Sequence, residues 1–196
     1  MNKKTISLAV IAGIILIAII WVVSSYNGLV SKDEACSQQW SKVESQYQRR
    51  SDLIPNLVST VKGYAKHEQQ TLENVIAARN QASNAKVDPN KLDQASIQKY
   101  QKSQDALSSS LSKLMVVVER YPDLKANQNF LELQSQLEGT ENRIAVERQN
   151  FADIVKLYNA KIRRFPTNMI ANIFGFERKA YFAAEKGAEN APKVEF

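Results

Sequence analysis

Residues 6–23 read ISLAVIAGIILIAIIWVV, a run without charge or proline, preceded by Asn2, Lys3 and Lys4 and followed by polar Ser24, Ser25, Tyr26, Asn27 and Gly28. Crossing a bilayer core takes about 20 apolar residues in a helix, because that length spans ~30 Å and satisfies every backbone polar group internally. The stretch therefore predicts one transmembrane helix at the short end of the range, with Trp21 and Tyr26 placed for an interfacial aromatic belt. A cleaved signal peptide is the rival reading. It fits less well, because the run exceeds the ~7 to 15 residues of a signal core and no small-x-small cleavage site follows. Cys36 comes after Asp33, Glu34 and Ala35, which is no lipoprotein signal. On this reading residues 1–5 are a short tail, 24–30 a linker, 31–184 a folded domain and 185–196 a disordered tail.

Around that anchor the charges are nearly balanced. Lys3, Lys4 and the amino terminus lie on one side of the span and Lys32 and Lys42 on the other. The positive-inside rule thus favours an inward N-terminus and an outward, periplasmic domain by a single charge. Formal net charge is +6, of which Lys3 and Lys4 supply two. No basic run interleaved with aromatics stands out, so an ordinary solvated surface explains the bias better than nucleic acid does. A single Cys excludes an intramolecular disulfide.

The remainder of the chain reads as long helices, since it holds few glycines and prolines. Ser31 and Glu34 form a capping-box pattern, so a helix separate from the span is expected to begin there. Its apolar stripe runs through Trp40, Val43, Tyr47, Ile54, Val61, Leu72 and Val75 to about Ser83, with Pro55 predicting a kink at residues 51–53. Asp88 and Pro89 cap a second helix, whose stripe from Leu92 to Tyr121 is interrupted by Gln104 and stopped by Pro122. Asn129 and Glu132 cap a third, running through Leu137, Ile144, Phe151 and Tyr158 to Phe165, where Pro166 ends it. Residues 167–174 can form a short apolar helix closed by Gly175, and 177–184 a last helical piece. The fold expected is all-α, an elongated antiparallel helical bundle behind one span.

Lengths add an expectation. A continuous helix over 31–83 would be ~80 Å long and the second only ~50 Å, so they cannot cover each other. Folding back from the distal end, the second helix reaches about Pro55 and leaves Trp40, Val43 and Tyr47 without an intrachain partner. Such an exposed apolar seam marks a contact between subunits.

Five strings carry a resemblance: residues 26–30 (YNGLV), 49–58 (RRSDLIPNLV), 61–68 (VKGYAKHE), 132–142 (ELQSQLEGTEN) and 158–166 (YNAKIRRFP). In order and spacing the chain resembles the LemA family of bacterial membrane proteins, from the anchor to Phe182. The resemblance implies an N-terminal transmembrane helix and a long antiparallel helical bundle in a bacterial membrane. That family has no established enzymatic activity and no agreed catalytic residues, so it implies a fold without a chemistry.

Chemistry must then be sought in single residues. Were Arg50 to face inward, a carboxylate would have to meet it, because an unpaired buried guanidinium costs several kcal/mol. Glu141 on the third helix is the expected partner, in an ion pair that fixes helix register. His67 is the only His, which removes both the paired Glu-x-x-His of di-metal bundles and the two-His zinc motif. Cys36 has acidic neighbours that raise a thiol pKa, and no Gly-rich phosphate loop or nucleophile elbow occurs. Residues 165–182 gather Phe165, Met169, Ile173, Phe174, Phe176 and Phe182 around Arg178 and Lys179. They read either as a cap over the bundle's open end or as a docking face for a partner or lipid.

The sequence thus leads to a non-enzymatic, membrane-anchored protein of the bacterial inner membrane that self-associates or scaffolds others. The seam at Trp40, Val43 and Tyr47 and the aromatics Phe174, Phe176 and Phe182 would supply its contacts. Its expected partners are the bilayer, further copies of itself and other membrane proteins, with no nucleic acid and no cofactor. A second reading makes it a sensor or adaptor hinged at Pro55.

Overall fold

The computed structural model describes residues 3–183. Among these the chain forms α1 (Lys3–Tyr64), α2 (Gln69–Asn84), α3 (Gln94–Val118), α4 (Pro122–Lys125), α5 (Gln128–Arg163) and α6 (Thr167–Ile173), with no strand. This is an all-α, antiparallel bundle built on the outer part of α1. The inner part of α1 carries the apolar run of residues 6–23, exposed along its length except for half-buried Val22. It is one helix long and apolar enough to cross a membrane.

The expected break between the span and the first helix of the domain is absent. Residues 24–30 are helical, because nothing in them stops a helix already under way. Gly28 costs about 1 kcal/mol there, less than nucleating a new helix would, and Leu29 is fully buried in the bundle core. The chain also stays helical through Pro55, whose ring lies at the surface. Proline removes the N–H that would bond the carbonyl four residues back. Here that carbonyl, Ser51 O, accepts instead from Arg79 Nε of α2 at 3.2 Å.

The turn comes later, at residues 65–68, so the expected helix over 31–83 is really a hairpin of α1 and α2. Ser51 Oγ and Ser83 Oγ meet at 2.7 Å across it. Residues 85–93 then continue toward the apolar run of α1 as a loop, with Ser37 Oγ donating to Pro89 O at 2.8 Å. The second long helix starts later than Pro89, at α3, where Asp93 accepts from Ser96 N at 2.9 Å and Ser96 Oγ at 2.8 Å. After α4 at the distal tip, Asn127 rather than Asn129 caps α5, accepting from Phe130 N at 3.0 Å. In its 36 residues α5 then runs back along α1 toward the apolar run.

The core falls into two compartments. The distal one joins Ile54, Leu57, Val61, Leu72 and Val75 to Leu107, Leu111, Leu114, Phe130 and Leu133. The proximal one joins Leu29, Cys36, Trp40, Val43 and Tyr47 to Tyr100, Ile144, Phe151, Val155 and Tyr158. This overturns the expectation of an open seam: Trp40 and Val43 are fully buried and Tyr47 nearly so. Helix lengths alone leave this half open only when the first two helices are compared, whereas α5 lies along α1 and covers it. The chain after α6 covers it too. Residues 176–183 form no regular secondary structure, where a last helical piece was expected, and Phe182 stacks on Trp40 with ring centroids 5.6 Å apart. The expected tail at 185–196 lies outside the described residues.

Candidate functional site

Between the two compartments sits a polar node. Arg50 projects from α1 into the bundle with 1% of its side chain exposed. Its Nη1 donates to Glu141 Oε1 and to Ser108 Oγ, both at 2.7 Å, and its Nη2 to Gln104 Oε1 at 2.7 Å and Gln104 O at 3.2 Å. Gln104 in turn donates from Nε2 to Ala82 O at 3.4 Å, and the guanidinium carbon lies 5.1 Å from the centre of the Tyr47 ring. The node therefore ties α1, α3, α5 and the end of α2 together. Glu141 is 44% exposed, so the pair has one dry end and one wet end. Gln104 and Ser108 were not foreseen as partners, although a glutamine on an otherwise apolar stripe was the signal that a polar group needed meeting.

Over the node a groove of about 730 Å³ opens between α3 and α5, with Tyr47 and Arg50 in its floor. It continues distally past Leu111, Met115 and Leu137. Both terminal nitrogens of Arg50 are engaged by the protein, while its buried Nε has no hydrogen-bond partner.

A second constellation holds the chain end in place. The Asn159 amide pairs with the backbone of Lys179, donating to its O at 2.8 Å and accepting from its N at 3.0 Å. The Gln101 amide does the same to Ala183, at 3.1 and 2.9 Å. Ala180 N donates to Leu92 O at 2.9 Å. A segment without regular structure has no hydrogen-bond ladder of its own, so buried amides must satisfy its backbone. Lys179 is buried too, donating to Asn90 O at 2.9 Å and lying 2.9 Å from Asp33 Oδ1. Neither amide was singled out from the sequence, where Asn159 and Gln101 look like solvated residues.

The C-terminal aromatics divide. Phe182 lies between Trp40 and Phe151, with Arg148 4.7 Å from its ring centre. Phe176 is partly buried and Phe174 exposed, and both pack on Tyr26 of α1, at 5.8 and 4.8 Å. Residues 167–182 are thus cap and surface at once: Thr167, Ile170 and Ala171 close the core while Met169, Ile173 and Phe174 face out.

Nucleophilic chemistry finds no support in the buried thiol. Burial, and then the charge of Asp33, push the Cys36 thiol from 9.0 up to about 11. Among the described residues no three His, Cys, Asp or Glu side chains converge as metal ligands, and His67 is exposed in the distal turn.

Comparison with known proteins gives a consistent result. The sequence model of the LemA family matches residues 39–196. Magnetosome protein MamQ 2 of Paramagnetospirillum magneticum is 28% identical over 186 residues, covering 86% of this chain and 68% of the relative. The MamQ of Magnetospirillum gryphiswaldense is similar to the same degree. A protein named LemA from Metamycoplasma hominis is 25% identical over 160 residues, covering 82% of this chain and 69% of its own length.

Proposed function

This chain belongs to the LemA family, and from that premise we propose that it is a non-enzymatic protein of the bacterial inner membrane, holding a rigid bundle on the bilayer for self-association and for scaffolding other membrane proteins. The observation that carries this reading is the unbroken α1, which passes from the apolar run into the centre of the bundle with no hinge. A flexible tether would let each domain tumble. A continuous helix instead gives every copy the same tilt and height, so a lateral contact pays less orientational entropy and works at a raised local concentration. The charge bias of the flanks favours a periplasmic bundle. Since the Trp40 seam is filled from within, the contact must lie elsewhere. The outer face of α5 offers Val146 and Leu157, both more than half exposed and about three helical turns apart on one stripe.

Single cysteines at Val146 and Leu157, placed in the full-length chain and crosslinked in native membranes, test it. Cys36 needs no removal, because it is buried and its thiol is held protonated. Intermolecular products at both positions are expected, together with an oligomer in native-lipid discs. A monomer that gives no product at either position overturns the proposal. The groove over Arg50 and Tyr47 favours a second reading, a sensor or adaptor that takes a partner between α3 and α5. Protection of that groove from proteolysis by added cell extract, in a monomer, would select it.

A further inference from the structure

We infer that the elbow between α5 and α6 is an interfacial lipid-binding surface, seating its apolar side chains at the headgroup boundary of the bilayer that α1 crosses and its arginines on anionic lipid phosphates. This rests on the reading of residues 6–23 as a membrane span.

Position carries the first step. Val22, in the last turn of that span, already packs against the proximal core. Tyr26 lies three residues, ~5 Å, beyond its end and touches Phe174 and Phe176. The elbow therefore lies level with the lipid headgroups rather than above them, and its outer face is continuous with the apolar surface of α1.

Composition carries the second. Phe165 is 80% exposed and Ile173 72%, with Met169 and Phe174 beside them also more than half exposed. Apolar side chains gathered at one end of a protein call for a cover. The charge around them is one-sided: residues 161–178 hold Lys161, Arg163, Arg164 and Arg178 against Glu177 alone, and all three arginines are exposed. An apolar face rimmed by bases is the pattern that lies in a membrane interface, where anionic lipids attract the bases. Attachment at two points, α1 and the elbow, would fix the rotation of the bundle about its own anchor.

The test uses the full-length protein in phosphatidylcholine vesicles with and without phosphatidylglycerol at about a third of the lipid. Single cysteines at Ile173, Ile15 and Ile76 carry an environment-sensitive fluorophore, quenched from the lipid by a shallow or deep nitroxide and from water by iodide. The Ile173 probe is expected to be quenched by the shallow nitroxide and shielded from iodide several-fold relative to the distal Ile76 probe, more so with phosphatidylglycerol. Changing Arg163, Arg164 and Arg178 together to Glu should abolish that difference, and changing them to Lys should restore it, with helicity unchanged throughout. If the Ile15 probe is quenched by the deep nitroxide but the Ile173 probe is as iodide-accessible as the Ile76 probe, the span stands and the elbow assignment falls. If the Ile15 probe is not quenched from the lipid, the span itself fails. Shielding at Ile173 without lipid quenching, lost on dilution to one copy per vesicle, would give the surface to a second copy and overturn the proposal.

Discussion

On the distal side of Arg50, α1, α2, α3 and α5 fill four places around a core of aliphatic side chains. On the proximal side α2 is missing, and the fourth place is taken by two irregular pieces, residues 85–93 and residues 176–183. The cores differ accordingly. Helices meeting helices need only complementary aliphatic ridges, whereas the proximal half closes its wider gap with Trp40, Tyr47, Tyr100, Phe151 and Phe182 packed edge to face or stacked. Irregular backbone also has to be satisfied from outside, which is the work of Asn159 and Gln101. A missing helix can thus be replaced by large rings and amide clamps. The consequence is that the proximal half depends on a few individual side chains, while the distal half spreads its stability over many.

The largest expected effect tests that dependence. Trp40→Ala should cost ~3 to 5 kcal/mol, the range for deleting a buried aromatic, since it removes the ring on which Tyr100, Phe151 and Phe182 all rest. Hydrogen exchange in detergent should then rise across residues 34–47, 151–162 and 179–183, while 54–64 and 107–118 keep their protection. An equal loss of protection in both halves would break the comparison, because it would make the bundle one cooperative unit.

A smaller effect is expected at the boundary, and its asymmetry is the informative part. Glu141→Ala leaves the Arg50 charge buried, held by Gln104 and Ser108 alone, at a cost of about 1 to 3 kcal/mol. Arg50→Leu should cost somewhat more, because besides a half-exposed carboxylate that water can solvate it leaves the buried Gln104 Oε1 and Ser108 Oγ without their donor. Urea midpoints of the two variants decide the point. A less damaging Arg50→Leu would mean that the guanidinium carries no load beyond its pair with Glu141.

The two halves were unequally legible in the sequence. Helix-period stripes exposed α3, α5 and the distal half of α1, because regular burial repeats at three and four residues. Arg50 was readable as a residue that had to find a carboxylate, since it falls among apolar neighbours on one face. The place of the first turn was not readable. Pro55 stays within a helix because Arg79 lies across the hairpin to take up the carbonyl of Ser51, a fact set 28 residues away. Nor was the cover over Trp40, for residues 176–183 have no period and owe their path to side chains on other helices. Capping chemistry misled in the same way: Ser31 and Glu34 satisfy the pattern of a helix start, yet a helix already running past them has no free donors to cap.

The smallest effect separates the halves by pH. Burial raises the pKa of Cys36 to about 11 and raises those of Tyr47, Tyr100 and Tyr158 as well, all four in the proximal core. In the distal half Tyr121, partly buried against that core, is raised first by its hydrogen bond to Glu68, and it is the one tyrosine there to add to the loss of stability at high pH. A group whose pKa is higher in the folded state keeps its proton there while the unfolded chain gives it up. Its stabilising contribution is therefore complete below the unfolded value, 9.0 for the thiol, and is lost as pH rises toward about 11. Tyrosines add to that loss from their unfolded value of about 10 upward. Trp40 emission, in a Trp21→Phe background, should accordingly report an unfolding midpoint that falls above pH 9, while a fluorophore on a cysteine at Ile76 reports a smaller fall. Cys36→Ala should flatten the first part of the Trp40 curve and leave the distal one unchanged. Parallel curves from the two probes would show that the titrating core does not open by itself, and the halves would then differ in construction but not in stability.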